Sequence, residues 1–251
     1  MIHLRGESAD VVIDTASGVP TIVYWGAPLG NVDLPTLADA LARPVVHGAL
    51  DVVAPLSVVP EHAAGFAGRP GLLAHRRGGS AWAPRFAPAG VATIADGVVV
   101  SAIDPVAEVR LDTRICLHHA LTVQCTLTNL ASTRYLIDAL TITLPLPAHA
   151  SDLLTFTGRW TRELHAAREH WATGSRLIEN RRGRTSHEHV PLLFAASRAS
   201  ANGAVRCGAH ISRGAVITRC WPTACPTADA WCRWASCCTQ ANSPSNPASS
   251  T

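Results

Sequence analysis

Between Val91 and Leu146 the chain runs through four successive segments, VATIADGVVVSAI, AEVRLDTRICLHH, LTVQCTLTNL and YLIDALTITLPLP, rich in β-branched residues and apolar alternation. Residues two apart on a strand share a face, so such alternation buries one side and wets the other. DG, DP and NLAST breaks supply the turns between them. Consecutive strands with almost no helical period leave few architectures open, chiefly antiparallel sheets stacked face to face. Arg110, Asp112 and Arg114, at i, i+2 and i+4, are expected to point to solvent or to a second layer. With 251 residues, 47% of them hydrophobic, the chain can bury the core of one large β domain or two small ones.

The flanking stretches agree with an all-β domain. Asp10 to Asp14 and Pro20 to Trp25 are rich in Val, Ile and aromatics and are separated by a short ASGV turn, which predicts a hairpin. Asp33 to Arg43, DLPTLADALAR, carries an N-cap Asp, a Pro in the first turn and apolar Leu34, Leu37 and Leu41, enough for one short helix. From Pro44 to Pro88 frequent Pro, Gly and His break any period, so short strands joined by long loops are expected. VPLLFAAS after Glu188 reads as a further strand.

Phe156 to His189, FTGRWTRELHAAREHWATGSRLIENRRGRTSHEH, is a different kind of stretch. Guanidinium forks, indoles and hydroxyls gather there on a Gly-punctuated frame, the groups that recognise carboxylates or sugar-like hydroxyls. RRGRTSHEH reads equally as a solvated turn whose arginines pair with Glu179 and Glu188. Trp160, Leu164, Ala167 and Trp171 fall at near-helical spacing and predict a stripe packed on a core. His187 and His189 lack a third ligand at recognisable spacing, and His118 and His119, being adjacent, would face opposite sides of a strand. No metal site is expected from either pair.

Charge and targeting signals narrow the function classes. All 21 basic side chains are Arg, and with abundant Ala, Gly and Pro this reads as coding bias, so the net charge of +3 argues little for nucleic acid. The arginines are scattered, and no aromatic platform of the RNA-binding type accompanies them. MIHLRGESADVV lacks an apolar run of signal length, and no stretch approaches the roughly 20 apolar residues of a membrane span. A cytoplasmic protein without a membrane partner is expected.

GRW followed by RRGRTSH, together with PEHAAGFAGRPGLLAHR and then WAPRF, resembles the N-terminal domain of family 36 glycoside hydrolases, the bacterial α-galactosidases, over about Ile2 to His210. The resemblance implies an all-β fold, a large antiparallel β-sandwich with one or two short helices, over residues 1–210. It implies hydrolysis of terminal α-galactosyl residues with retention by the intact enzyme, often a homo-oligomer, without a cofactor. In such oligomers this domain's loops can line the neighbouring subunit's pocket, which makes Phe66 and Arg69 candidates for stacking on a sugar and bonding its hydroxyls. The retaining mechanism uses two carboxyls about 5 Å apart. In the family they belong to a barrel, on a KWD motif and an SGGGRxD-like stretch. The chain has no Lys, hence no KWD, and no alternating βαβα pattern. No catalytic residue is therefore assigned. A free-standing carbohydrate-binding sandwich is the alternative reading.

From Ile211 the composition changes. Residues 211–251 hold three Trp and five Cys without an amphipathic period and end in a Ser, Pro and Asn run, so a disordered tail is expected. The cysteines contain no CxxC and are odd in number, which argues against zinc or a disulfide frame. Joining the last base of each codon to the first two of the next gives forced readings. Cys220–Trp221 must give Leu, Trp221–Pro222 Ala, Trp231–Cys232 Val, Trp234–Ala235 Gly and Cys237–Cys238 Leu. With permitted wobble bases, Arg213 to Thr218 reads WSGNH and Cys220 to Ala241 reads LADGLPDGRRVVSVGELLHPG, words resembling the family's continuation. The expectation is a one-base slip near Ile211 that replaced the true continuation.

Overall fold

A computed structural model describes residues 1–42, 45, 47–48, 54, 56–146, 150–170, 174–180, 188–196, 207–211, 218–224 and 230–236. The first strands are β1 (Ile2–Arg5), β2 (Asp10–Asp14) and β3 (Thr21–Gly26), an antiparallel sheet in the order β1-β2-β3. The hairpin expected from Asp10 onward is β2–β3. Val11, Val12 and Ile13 are wholly buried. Helix α1 (Leu34–Leu41) begins where Asp33 Oδ2 accepts from the Thr36 backbone N–H at 3.0 Å, with Pro35 in its first turn. It buries no residue, so it connects rather than supports.

After β4 (Leu72–Arg76), the apolar region seen in the sequence forms β5 (Ala87–Ile94), β6 (Gly97–Asp104), β7 (Val109–Leu117), β8 (Leu121–Asn129) and β9 (Tyr135–Pro145). The first four are a meander in the order β5-β6-β7-β8, while β9 leaves it to pair with β4. Alternation decides which side is buried: Leu121, Val123, Cys125 and Leu127 of β8 are half-buried while Thr122, Gln124, Thr126 and Thr128 face water. Val98, Val100 and Ala102 of β6 lie beside Ile115, Thr113 and Leu111 of β7 and share one core with Val11, Ile13, Val58, Leu72 and Phe86. On the outer face Arg110 pairs with Asp112 at 2.9 Å, and Arg114 is exposed, as their spacing predicts.

A second hydrophobic cluster, Leu146, Leu153, Ile178, Leu193 and Ala195, belongs to the later part of the chain. Its strands are β10 (Asp152–Arg159), β11 (Arg162–His170), β12 (Gly174–Ser175), β13 (Ile178–Asn180), β14 (His189–Ala196) and β15 (Cys207–Ile211). One sheet runs β11-β10-β14-β15. The helical stripe expected through Trp160 and Leu164 is corrected here. Both lie on the β10–β11 hairpin, with Trp160 73% exposed at its tip. Spacing of three and four residues was misleading because Thr161 and Leu164 both take left-handed backbone, φ 67° and 59°, as the chain reverses. Trp171 and residues 181–187, the whole RRGRTSH run with His187, lie outside the described residues.

The expected disordered tail is corrected over two stretches. The strands β16 (Thr218–Ala224) and β17 (Ala230–Ser236) join a sheet in the order β12-β16-β17-β9-β4, with β13 also on β16. The side of β9 away from β4 would otherwise be an edge, and an edge offers a row of backbone donors and acceptors to any extended segment. β17 fills it, from Trp231 opposite Pro145 to Ala235 opposite Thr141. His118 and His119 lie in the turn between β7 and β8 rather than on a strand. His118 faces Asp96 at 3.5 Å and His119 faces Glu7 at 3.9 Å.

Candidate functional site

Phe66 and Arg69 sit on the loop between His62 and Gly71, Phe66 half-buried and Arg69 exposed. The loop is shaped by backbone bonds. His62–Ala64 forms one 3-10 turn, Gly65 follows with φ +88°, and the Phe66 N–H returns to the Glu61 carbonyl at 3.2 Å. A side chain at Gly65 would be strained in that left-handed conformation. His62 Nδ1 lies 3.1 Å from the Phe66 carbonyl oxygen. The loop closes where the Gly71 N–H donates to the Pro60 carbonyl at 2.7 Å, an approach that only Gly permits, since a Cβ there would lie 2.6 Å from Val59 Cγ1.

Beside this loop is a shallow, open depression. Its lining includes Glu61, His62, Pro70, Trp82, Pro84 and Phe86, but neither Phe66 nor Arg69. Trp82 is 61% exposed, and its ring centroid is 6.0 Å from that of His62. Glu61 is only 9% exposed, and its Oε1 accepts from the Phe86 N–H at 2.7 Å. Burial pushes the Glu61 carboxyl up to about 7, with Asp104 adding to the rise and the Phe86 N–H and Arg85 opposing it. Asp104 itself is buried and accepts from the backbone N–H groups of Arg85, Val106 and Ala107. Sequence reasoning missed Glu61, His62 and Trp82 as a group. The signal was present in EH and WAPRF, but only folding brings residues twenty apart to one place.

Other polar clusters are built for stability. Buried Asp10 accepts from the Leu29 N–H and lies 2.9 Å from His3 Nε2. The Leu29 bond, opposed by burial and aided by His3, holds its carboxyl below the usual carboxylate range. Burial would raise Asp152, but bonds from His170, Arg168 and Ser151 together with the Arg168 charge outweigh it and hold that carboxyl low. Cys125 is a thiol pushed up to about 12 by burial, and so is not a nucleophile. No group of three or more His, Cys, Asp or Glu that would hold a metal ion occurs among the described residues. No helix among them is long and apolar enough to cross a membrane.

Stacked antiparallel sheets with a loop and an aromatic depression on their surface define the chain as a β-sandwich domain. The sequence profile of the Glycosyl hydrolase family 36 N-terminal domain matches residues 18–209, and the chain belongs to that family. An Alpha-galactosidase from Escherichia coli is 36% identical over 194 residues, 76% of this chain and 27% of that protein. The GH36 alpha-galactosidase AgaA from Geobacillus stearothermophilus, solved in complex with raffinose, superposes with a TM-score of 0.72 at 17% identity. The match covers 93% of this chain and 36% of that one. The alpha-galactosidase from Lactobacillus brevis gives a TM-score of 0.73 at 18% identity, over 93% and 35% of the two chains. At those identities the likeness speaks for the fold. The chain thus spans about a quarter of the curated relative and about a third of these structures. Backbone likeness also reaches past residue 209, where the family's sequence profile stops.

Proposed function

We propose that this chain is the non-catalytic β-sandwich portion of an α-galactosidase that removes terminal α-galactosyl residues from oligosaccharides with retention. The family match over residues 18–209 carries the reading. The 36% identity to the E. coli Alpha-galactosidase supports it. In this reading the domain acts in the cytoplasm within a homo-oligomer, where Phe66 stacks on the substrate's sugar and Arg69 bonds its hydroxyls across a subunit boundary. Arg69→Ala in the full-length enzyme should raise the KM for an oligosaccharide such as raffinose. An unchanged KM would remove Arg69 from the substrate site.

By itself the 251-residue chain supplies neither a nucleophile nor an acid for this reaction. Its lack of any Lys rules out the KWD motif, and its described strands pair antiparallel, unlike those of a parallel barrel. The purified chain is expected to show no turnover of an aryl α-galactoside. Turnover that copurifies with it through several steps would overturn this part of the reading. The slip in frame near Ile211 belongs to the same proposal, resting on the forced codon readings from Cys220 to Cys238. The nucleotide sequence beyond codon 251, read in all three frames, tests it: the two missing aspartates are expected in a shifted frame, and an immediate stop there would sink the slip.

A further inference from the structure

We infer that two copies of this chain associate through the free edge of β8, which pairs antiparallel with itself about a two-fold axis at Cys125. The inference rests on the homo-oligomeric reading above and names the surface that joins the copies. Among the described residues β8 ends its sheet, β5-β6-β7-β8. Which backbone groups it leaves open follows from β7. The Leu117 N–H donates to the Asp96 carbonyl on the β6 side, and the Glu108 carbonyl accepts from the Leu130 N–H on the β8 side. Backbone groups alternate along a strand, so the even-numbered residues of β7 turn theirs to β8. Their opposites, Thr122, Gln124, Thr126 and Thr128, are bonded to β7, and Leu121, Val123, Cys125 and Leu127 hold their N–H and carbonyl groups out at the free edge.

The strand is complementary to itself. With Cys125 on the axis, Val123 of one copy meets Leu127 of the second, Thr122 meets Thr128 and Gln124 meets Thr126. Val123 with Leu127, and Cys125 with Cys125, are then the hydrogen-bonded pairs, and these are the residues whose edge groups are open. The faces agree as well. Half-buried Leu121, Val123, Cys125 and Leu127 pack on the main core, so the pairing carries that apolar layer into the second copy, while exposed Thr122, Gln124, Thr126 and Thr128 meet on the wet side. Aliphatic and Thr–Thr cross-strand pairs are favourable, and no like charges oppose, since β8, LTVQCTLTN, carries none. Exposed edges ordinarily carry guards. β5, at the opposite edge, has Pro88 and a register shift between Pro88 and Gly90, and β11, the edge of another sheet, has Arg162, Glu163, Arg168 and Glu169. β8 has no charge, Pro or Gly, and its 9 residues pair with β7 without a shift. Such an edge invites a strand, and β8 read in reverse supplies a matching one.

The test follows the full 251-residue chain by analytical ultracentrifugation from about 1 to about 100 µM, with hydrogen exchange read at both ends of that range. The parent is expected to pass from monomer to dimer. The amides of Val123, Cys125 and Leu127 should become protected as it does, while those of Gln124 and Thr126, bonded to β7, are protected throughout. Gln124→Lys with Thr126→Lys sets like charges opposite each other on both sides of the axis and should weaken the dimer about tenfold or more. Gln124→Glu with Thr126→Lys makes the same contacts complementary and should return it to within about threefold of the parent. Both side chains face water, and a circular-dichroism melt checks that each variant is folded. A folded Gln124→Lys, Thr126→Lys protein that dimerises like the parent, or a dimer in which Val123, Cys125 and Leu127 stay unprotected, overturns the β8 interface and leaves a homo-oligomer through another surface standing. Equal weakening by the two pairs of substitutions overturns the pairing about Cys125. A parent that stays monomeric across the range overturns the β8 interface too, while the homo-oligomer is judged by the mass of the full-length enzyme in solution.

Discussion

Glu61 shows how burial turns an ordinary carboxyl into a pH-dependent element of the fold. Its folded pKa, about 7, lies above the 4.5 of a free Glu, so between those values the folded chain holds a proton that the unfolded chain has lost. Stability from this residue is therefore fully present below pH 4.5 and drains away as pH rises through about 7. Glu61→Gln keeps an acceptor for the Phe86 N–H and removes the titration. Urea melts of the parent should lose stability relative to Glu61→Gln between pH 5 and pH 8, by at most about 1.4 kcal/mol per unit and less where solvent reaches the depression. Parallel pH curves for the two proteins would mean that Glu61 is not desolvated. Asp10 and Asp152 act with the opposite sign. Their lowered carboxyls stabilise the fold above the usual Asp range, and that contribution is lost as pH falls through their folded values. Neither the raised nor the lowered carboxyls were legible in the sequence, because each owes its shift to groups that only the fold brings near.

Among the elements, the meander and β4–β9 are locked together by one side chain. Arg76, the last residue of β4, donates to the carbonyls of Thr133 and Ala107 and to Asn129 Oδ1, and lies 5.1 Å from the centroid of the Tyr135 ring. It thereby ties the turn before β7 and the end of β8 to the start of β9. Arg76→Ala should cost about 2–3 kcal/mol in a urea melt, since several carbonyls lose a charged donor at once. Arg76→Lys should recover little of this, because an ammonium group cannot span acceptors set in the fork of a guanidinium. A loss of less than about 0.5 kcal/mol, the range of ordinary surface substitutions, would show that the clamp is not needed. The sequence marked β2–β3, α1, β7, β8, β9 and β14 correctly, since alternation, a capping Asp and turn residues are local signals, but the first of its four expected consecutive strands is the hairpin β5–β6 and the fourth, β9, leaves the meander for another sheet. It misread the β10–β11 hairpin because the reversal at Thr161 and the register irregularity at Leu164 rest on left-handed backbone that carries no compositional mark.

For the molecule as a whole, residues after Ile211 have a structural part whatever their coding origin. The amides of Thr141 and Thr143 donate to Gly71 and Val58, so those of Ile142 and Leu144, alternating with them, face β17. Deleting residues 211–251 is expected to uncover this edge, speeding hydrogen exchange at Ile142 and Leu144 and promoting self-association. Exchange at those two amides that is the same with and without the deletion would mean that β17 does not cover β9 in solution. Main-chain pairing tolerates almost any residues, which is why a segment without an amphipathic period can still complete a sheet. By itself the sequence determined that this chain is a β-sandwich of the family 36 N-terminal type, because alternation, turns and family motifs are written along the chain. The tertiary structure alone decided that Glu61 and Trp82 meet in one depression and that β9 is covered by β17, because such contacts depend on distances in space between residues far apart along the chain.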